Sequence, residues 1–462
     1  MNRFSRRDTI KGLALGAVAG LGTPFGFAAE KETKRTRQPE QWPAVDVLVC
    51  GGGPAGIGAA LMAARAGRKT LLVERYGRFG GMAVQAMVGP LMGSVRSTIV
   101  DEILKHIGGR NVDYEFIDLK YAELLQKAGC EILLHAWIVE PLLDGKRVTG
   151  ARLLTKQGMI DVKARITVDA TGDGDVAFGA GAEYDQGRGA GPNWAADGLL
   201  QPMTIMFRVA GVNHKETMEA NRGRKAFRFP DGRTWNQLCK DANAKGELPP
   251  TVGMVRTYAS RRQDERVINA VQVNRVDGTK VRDLTHAEFE GRRQVQPIVE
   301  FLKKNAPGFQ NAYVSGMPAI IGARETRRIR GVESLAVEDL FAGRKWPNAV
   351  VRGVSFPIDI HNPDGIGQAQ GVSAAHPLGK DPVVKPYDIP YGCLVPRSAN
   401  GLLVAGRCIS GSHEAMASYR VQVIAMGTGV AAGVAAAEAA QKNIEPRDVE
   451  VGKIQSVVFE EV

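Results

Sequence analysis

One short unit constrains this chain more than any other. Val45-Asp46-Val47-Leu48-Val49-Cys50 is a mostly apolar run of β-type residues, long enough for a buried parallel strand. It leads directly into Gly51-Gly52-Gly53-Pro54-Ala55-Gly56. An Ala- and Gly-rich helix follows over roughly Ala55–Ala66, closed by Gly67. A second strand is expected over Lys69–Glu74, which sets the acidic Glu74 18 residues beyond Gly56. Strand, glycine turn, helix, strand and acid in this order read as a dinucleotide-binding unit. Gly51 permits the tight turn out of the strand. Gly53 removes a side chain so that a pyrophosphate can approach the backbone, and Gly56 lets the helix pack on the strand. The start of that helix, which Pro54 opens, presents the free N–H groups of Ala55 and the residues after it, with the positive end of the helix dipole, to the anion. Glu74 is expected to accept hydrogen bonds from the adenosine ribose.

The rest of the composition fits an α/β protein. Charged residues make up 24% and hydrophobic residues 44%, which is ordinary for a globular chain and excludes disorder, collagen and coiled coil as the main class. Glycine is in excess: 55 of 462 residues is about 12%, against a usual level of roughly 7%. The excess sits in GG pairs and Gly–Ala helices, which suits tight βα turns and close backbone approach to a ligand. Between Cys130 and Val168 lie three strand-like runs, Glu131–Glu140, Arg147–Thr155 and Gly158–Val168, with turn signals at Asp144-Gly145 and Lys156-Gln157-Gly158. They read as an antiparallel β-meander.

The N-terminus reads as an address. Ser5-Arg6-Arg7-Asp8-Thr9-Ile10-Lys11 precedes an apolar stretch, Gly12–Gly22, and the small-residue site Gly26-Phe27-Ala28-Ala29. The paired arginines with Ile10 and Lys11 resemble a twin-arginine export signal, with Thr9 where such signals usually carry Phe. The apolar run of about 11 residues is too short for a span, which needs roughly 20, so no stable membrane anchor is expected. Residues 1–28 are thus a signal peptide, 29–43 a linker, and the protein is expected in the periplasm or otherwise exported. The formal net charge is +11. Arg3, Arg6, Arg7 and Lys11 against Asp8 give the signal +3, leaving about +8 on the remainder. No Lys/Arg block is interleaved with aromatics, so no nucleic-acid partner is expected. Cys50, Cys130, Cys239, Cys393 and Cys408 are widely spaced, with no CxxC and no zinc spacing, so no metal is expected. Cys393 and Cys408 flank one strand, which leaves a disulfide between them open.

Three later segments resemble FAD-dependent oxidoreductases with the glutathione-reductase type of FAD domain. Arg75-Tyr76-Gly77-Arg78-Phe79-Gly80-Gly81-Met82 is similar to their double-glycine turn beside the ribityl chain. Thr167–Asp175 is similar to their strand ending in A-T-G-D, and Gly401–Ser410 to their C-terminal flavin strand, which precedes a Gly/Ala helix over roughly Val421–Gln441. The closest resemblance is to a bacterial family of FAD-dependent oxidoreductases, through Pro318–Gly331 with Arg324-Glu325-Thr326-Arg327-Arg328 and through Tyr391–Ala415. It covers about residues 44–440, except Asp185 to Ser315. The resemblance implies FAD, contacted by Arg75, Gly81, Met82, Ala170, Thr171, Gly172, Asp173, Gly406 and Arg407, with the backbone at Ile138 beside the adenine. It implies a discontinuous Rossmann-like FAD-binding domain, 44–184 plus 393–442, an inserted mixed α+β substrate domain, 185–392, and a C-terminal tail, 443–462.

A flavin enzyme needs positive potential near N1 and O2, where reduction places negative charge. Arg420 and the helix start behind it are expected to supply that. On the substrate side, His413 follows the flavin strand's turn, and an imidazole titrates near neutrality; a structural hydrogen bond is the alternative. Tyr419, and His361 in His361-Asn362-Pro363-Asp364-Gly365, are further catalytic candidates. Arg324 and Glu325 either bind an anionic or hydroxylated substrate or form an internal pair. No second GxGxxG is present for NAD(P)H. The expected activity is two-electron hydride transfer between a small organic substrate and flavin N5, with a quinone, a redox protein or oxygen as the other partner. The alternatives are a lyase or isomerase using FAD as scaffold, and an FAD-containing binding protein. Oligomeric state is not legible.

Overall fold

The computed structural model describes residues 38–111, 114–189, 196–221, 229–366 and 383–459. The signal peptide expected over residues 1–28 lies outside the described residues. The linker expected over 29–43 ends earlier. β1 spans Glu40–Cys50, because Glu40, Gln41 and Trp42 pair with Ile160, Asp161 and Val162 of the neighbouring strand.

From β1 the chain turns through α1 (Pro54–Arg65) into β2 (Thr70–Val73). Small residues let α1 pack against the long helix Gln422–Lys442 at backbone distance. A Cβ on Gly58 would sit 2.7 Å from the Met426 carbonyl oxygen, and one on Gly433 would collide with the carbonyl of Ala59. Gly58, Gly429 and Gly433 thus serve this helix–helix contact. The helix Gln422–Lys442 is long and apolar enough to cross a membrane, but 94% of its apolar window is buried in the protein.

The main sheet has Glu131–Leu133, β2, β1, Gly158–Asp169 and Leu402–Val404 in parallel. Gly158–Asp169 also pairs antiparallel with Arg147–Thr155, which pairs with Trp137–Asp144. The meander is therefore present, but the run Glu131–Glu140 is two strands. His135, at φ 56°, breaks it, and its amide reaches the Tyr76 carbonyl while Ala136 N–H reaches that of Glu74. The register aligns strand ends: Cys50 lies opposite Val73 and Asp169, and Asp169 opposite Val404. Loops 51–53, 74–75, 170–172 and 405–407 therefore leave the sheet side by side at its carboxyl edge, where open α/β sheets bind ligands.

A second, four-stranded antiparallel sheet orders Arg256–Ala259, Arg266–Asn269, Met206–Ala210 and Tyr313–Gly316. Its own core runs from Met203 to Ile321. This is narrower than the 185–392 expected from sequence. Ile329, Leu340, Val350, Val354, Tyr387 and Ile389 join the first core instead. The reason is long-range pairing: Ala349–Ser355 adds to both Tyr387–Pro390 and Ser94–Arg96. From Pro39 onward the two cores form one compact unit. The expected tail is also ordered: Val451–Val458 is a helix that buries Ile454 and Val458 in the first core.

Candidate active site

A cleft of about 280 Å³ opens at the carboxyl edge of the main sheet. Of the residues singled out from sequence for the cofactor, Gly51, Gly53, Pro54, Ala55, Glu74, Arg75, Gly81, Met82, Ile138, Ala170, Thr171, Gly172, Gly406 and Arg407 all line it. Gly56 and Asp173 do not line it. A Cβ on Gly56 would collide with the Gly51 carbonyl, so this glycine serves helix packing. Asp173 is turned to Arg407, and its Oδ1 accepts a hydrogen bond from the Thr326 hydroxyl at 2.9 Å. At Gly53 a Cβ would meet only the Gly81 Cα, at 3.8 Å, so the loop is open there.

Glu74 is buried and fixes the glycine loop. Its Oε2 accepts the Gly52 N–H at 2.7 Å and its Oε1 accepts the Tyr76 N–H at 2.9 Å. Burial pushes its carboxyl up against those two bonds. Near Ile138 the Arg75 guanidinium lies over the rings of Tyr76 and Trp137, 4.9 and 5.4 Å from their centroids. Trp137 stays half exposed, so a flat ring has a stacking surface. Tyr76 and Trp137 as side chains were not singled out by the sequence; neither was Gln422, which also lines the cleft.

At the other end Arg420 joins the wall. Its Nη2 donates to the Asp359 carbonyl at 2.9 Å and lies 3.3 Å from the Asp359 carboxylate. Its Nε is buried and has no hydrogen-bond partner. A buried orphan donor on a cleft wall is the group a polar ring edge would satisfy. The open backbone at Gly53, the aromatic pair Tyr76 and Trp137 and the orphan at Arg420 thus fit the central pyrophosphate and the two ends of an elongated dinucleotide.

A second cavity of about 80 Å³ adjoins the cleft and shares Met82, Arg407, Arg420 and Gln422 with it. Arg324, Asp359 and His361 line the new part. His361 Nε2 lies 3.5 Å from Asp359 Oδ2. Burial, and then the Arg324 charge, push this imidazole down to about 3 despite that hydrogen bond, so it is neutral at pH 7. Burial alone would raise the Asp359 carboxyl. The His361 hydrogen bond and the Arg420 and Arg324 charges instead hold it well below the usual range.

Two catalytic expectations are corrected by placement. His413 lines neither cavity: its Nδ1 lies 2.9 Å from Glu325 Oε1, and both side chains are buried. Tyr419 is fully buried and its hydroxyl donates to the Ile409 carbonyl at 2.8 Å. The helix His413–Tyr419 turns these faces into the core, which residue order alone does not reveal. The adjacent Arg324 and Glu325 divide: Arg324 lines the second cavity, while Glu325 pairs internally with Arg328 and His413. All five cysteines are free and buried, Cys393 and Cys408 included.

A family model described as FAD dependent oxidoreductase matches residues 46–458. The chain belongs to the FAD dependent oxidoreductase family. This oxidoreductase is therefore an enzyme whose cofactor is FAD. It is 28% identical over 154 residues to a digeranylgeranylglycerophospholipid reductase of Picrophilus torridus, covering 28% of this chain and 39% of that protein. It is 30% identical over 151 residues to a thiamine thiazole synthase of Methanococcus aeolicus, covering 29% and 57%. The matches thus span less than two thirds of the length of these curated relatives. Among solved structures it is similar to a geranylgeranyl bacteriochlorophyll reductase-like protein of Thermoplasma acidophilum, with 15% identity, 91% and 82% coverage and a TM-score of 0.45.

Proposed function

We propose that this FAD-dependent oxidoreductase is an exported enzyme that carries out two-electron transfer on a small organic substrate held in the second cavity. One observation carries the reading: that cavity shares Met82, Arg407, Arg420 and Gln422 with the cofactor cleft. A substrate there meets the end of the cleft opposite Tyr76 and Trp137. FAD supplies hydride exchange at its N5. The loop 51–56 receives the pyrophosphate, and Tyr76 and Trp137 flank the adenine. Arg420 donates to the flavin's pyrimidine edge, and the start of the helix Gln422–Lys442 adds its dipole there. His361, neutral and held against Asp359, hands over or receives the substrate proton. A quinone or redox protein takes up or supplies the electrons, since NAD(P)H is scarce outside the cytoplasm.

The reading is tested by anaerobic bleaching of the flavin against sugars, hydroxy acids, amines and unsaturated acids, with the reverse assay on reduced enzyme. At least one class should change the redox state of the flavin within a turnover time. Turnover of a substrate without any flavin redox change would overturn it in favour of FAD as scaffold. Export rests on Arg6 and Arg7. Arg6→Lys with Arg7→Lys should retain a folded, flavin-loaded precursor in the cytoplasm, and unchanged export would exclude the twin-arginine route.

A further inference from the structure

Arg324 is the least compensated charge in the site. Its side chain is almost entirely buried, and its one hydrogen bond runs from Nη1 to the Pro202 carbonyl at 2.6 Å. Among the described residues it makes no ion pair. Two neighbouring cations have ion-pair partners, Arg420 in Asp359 and Arg407 in Asp173, while Arg324 meets Asp359 only at longer range. Burying an unpaired guanidinium is costly, and chains keep one where a ligand supplies the counter-charge. Arg324 lies on the wall between the 80 Å³ cavity and a narrow extension of about 10 Å³, and lines both.

We propose that Arg324 receives the carboxylate of the substrate, so that this enzyme acts on small monocarboxylic acids. The inference deepens the proposed function by naming the substrate class of the same cavity. One unmatched positive charge suits one negative charge. A planar guanidinium suits a planar carboxylate, which it engages through two parallel N–H donors. The small cavity restricts the acid to a few heavy atoms beyond the carboxylate. Burial, together with the repulsion of Arg420, lowers the Arg324 guanidinium to about 9, although the Asp359 charge opposes the fall. The Arg324 charge also depresses the neighbouring His361 imidazole. A carboxylate on Arg324 cancels that influence, so substrate binding makes His361 a better proton acceptor.

The probe is propionate, titrated calorimetrically into the FAD-loaded enzyme, with the neutral isostere propionamide and inorganic phosphate as controls. Propionate should bind saturably, propionamide not measurably, and phosphate more weakly than propionate. Arg324→Gln should keep its FAD and weaken propionate by roughly 10- to 100-fold, the loss expected for a charged hydrogen bond. Arg324→Lys retains the charge without the fork. It covers the case in which the glutamine variant fails to fold, and should weaken propionate while still preferring it over propionamide. Equal binding of propionate and propionamide, tighter binding of phosphate, or propionate affinity unchanged in either variant would overturn the assignment. The readout is heat of binding, so it stands apart from the redox reading. Propionate held by Arg324 with no compound of the panel able to change the flavin's redox state would sink the redox proposal and leave the carboxylate site at Arg324 standing; bleaching by sugars or amines but by no acid would overturn the substrate class.

Discussion

Arg420 and Asp359 form a one-sided pair: Nη2 of the arginine engages both the carbonyl and the carboxylate of Asp359, while Nε, buried on the cleft wall, engages nothing. Asp359 anchors one side of the guanidinium, and the arginine lines the cleft. A unit charge at about 4 Å from a reduced flavin, at an effective dielectric near 20, gives an attraction of roughly 4 kcal/mol. Asp359 opposes part of this, leaving about 0.5–1.4 kcal/mol. For a two-electron couple 30 mV corresponds to about 1.4 kcal/mol, so Arg420→Met should lower the flavin midpoint potential by roughly 10–30 mV. FAD should stay bound, since the pyrophosphate loop is untouched. Spectroelectrochemistry against wild type measures the shift, and an identical midpoint would remove Arg420 from the flavin edge.

Two glycines of the same loop should fail differently. A Cβ at Gly53 meets only Gly81 Cα, so Gly53→Val should be tolerated by the apoprotein and occupy the ligand's space. It should purify colourless, with a melting temperature close to that of the wild-type apoprotein. A Cβ at Gly56 would collide with the Gly51 backbone, so Gly56→Ala should cost the fold about 1–3 kcal/mol whether or not FAD is present. Thermal melts of both apoproteins, with released FAD measured by fluorescence, separate the two. A yellow Gly53→Val protein would refute the role given to that position.

The cofactor cleft was legible in the sequence because local rules dictate it. The strand, the glycines and Glu74 follow one another within a single βαβ unit, and parallel pairing brings the later loops 170–172 and 405–407 to the same edge. The second cavity was legible only in part. Arg324, Asp359 and His361 come from segments whose meeting depends on non-local pairing, such as Ala349–Ser355 on Ser94–Arg96. His413 and Arg420 stand a short helix apart, yet one faces the core and the other the cleft. Sequence order places both near the ring; only the packing of the helix His413–Tyr419 separates them.

The Glu325–His413–Arg328 cluster is a buried charge network away from both cavities. Glu325 is fully buried and also accepts the Gln201 N–H at 3.1 Å, while Arg328 donates to the carbonyls of Gly411 and Gly187. Removing one charge from such a cluster leaves another uncompensated. Glu325→Gln should therefore destabilise the protein by about 3–5 kcal/mol. His413→Gln, which keeps a polar partner, should cost about 1–3 kcal/mol and leave flavin reduction per folded molecule within a few-fold of wild type. Urea unfolding and single-turnover reduction check the pair. A large loss of reduction rate with no loss of stability in His413→Gln would return that residue to catalysis.

His361 makes acid stability testable. Its imidazole is held at about 3 in the fold, first by burial and then by the Arg324 charge, against about 6.5 when unfolded. Between these values the unfolded chain binds a proton that the native protein does not. Stability therefore rises with pH across this window and is lost as pH falls from about 6.5 towards 3. Each unit of difference is worth about 1.4 kcal/mol, so the fall should amount to a few kcal/mol. The depressed Asp359 carboxyl acts in the same direction, but only below its unfolded value near 4. Burial raises the Asp169 carboxyl to about 6, so Asp169 takes up a proton in the fold between about pH 6 and 4 and opposes the His361 slope in both proteins. His361→Gln, which cannot charge, should therefore lose stability less steeply than wild type as pH falls from about 6.5 to 4.5, and the difference between the two slopes belongs to His361. Parallel slopes for the two proteins would mean that His361 is not buried as a neutral base, and the proton role assigned to it would go with that result.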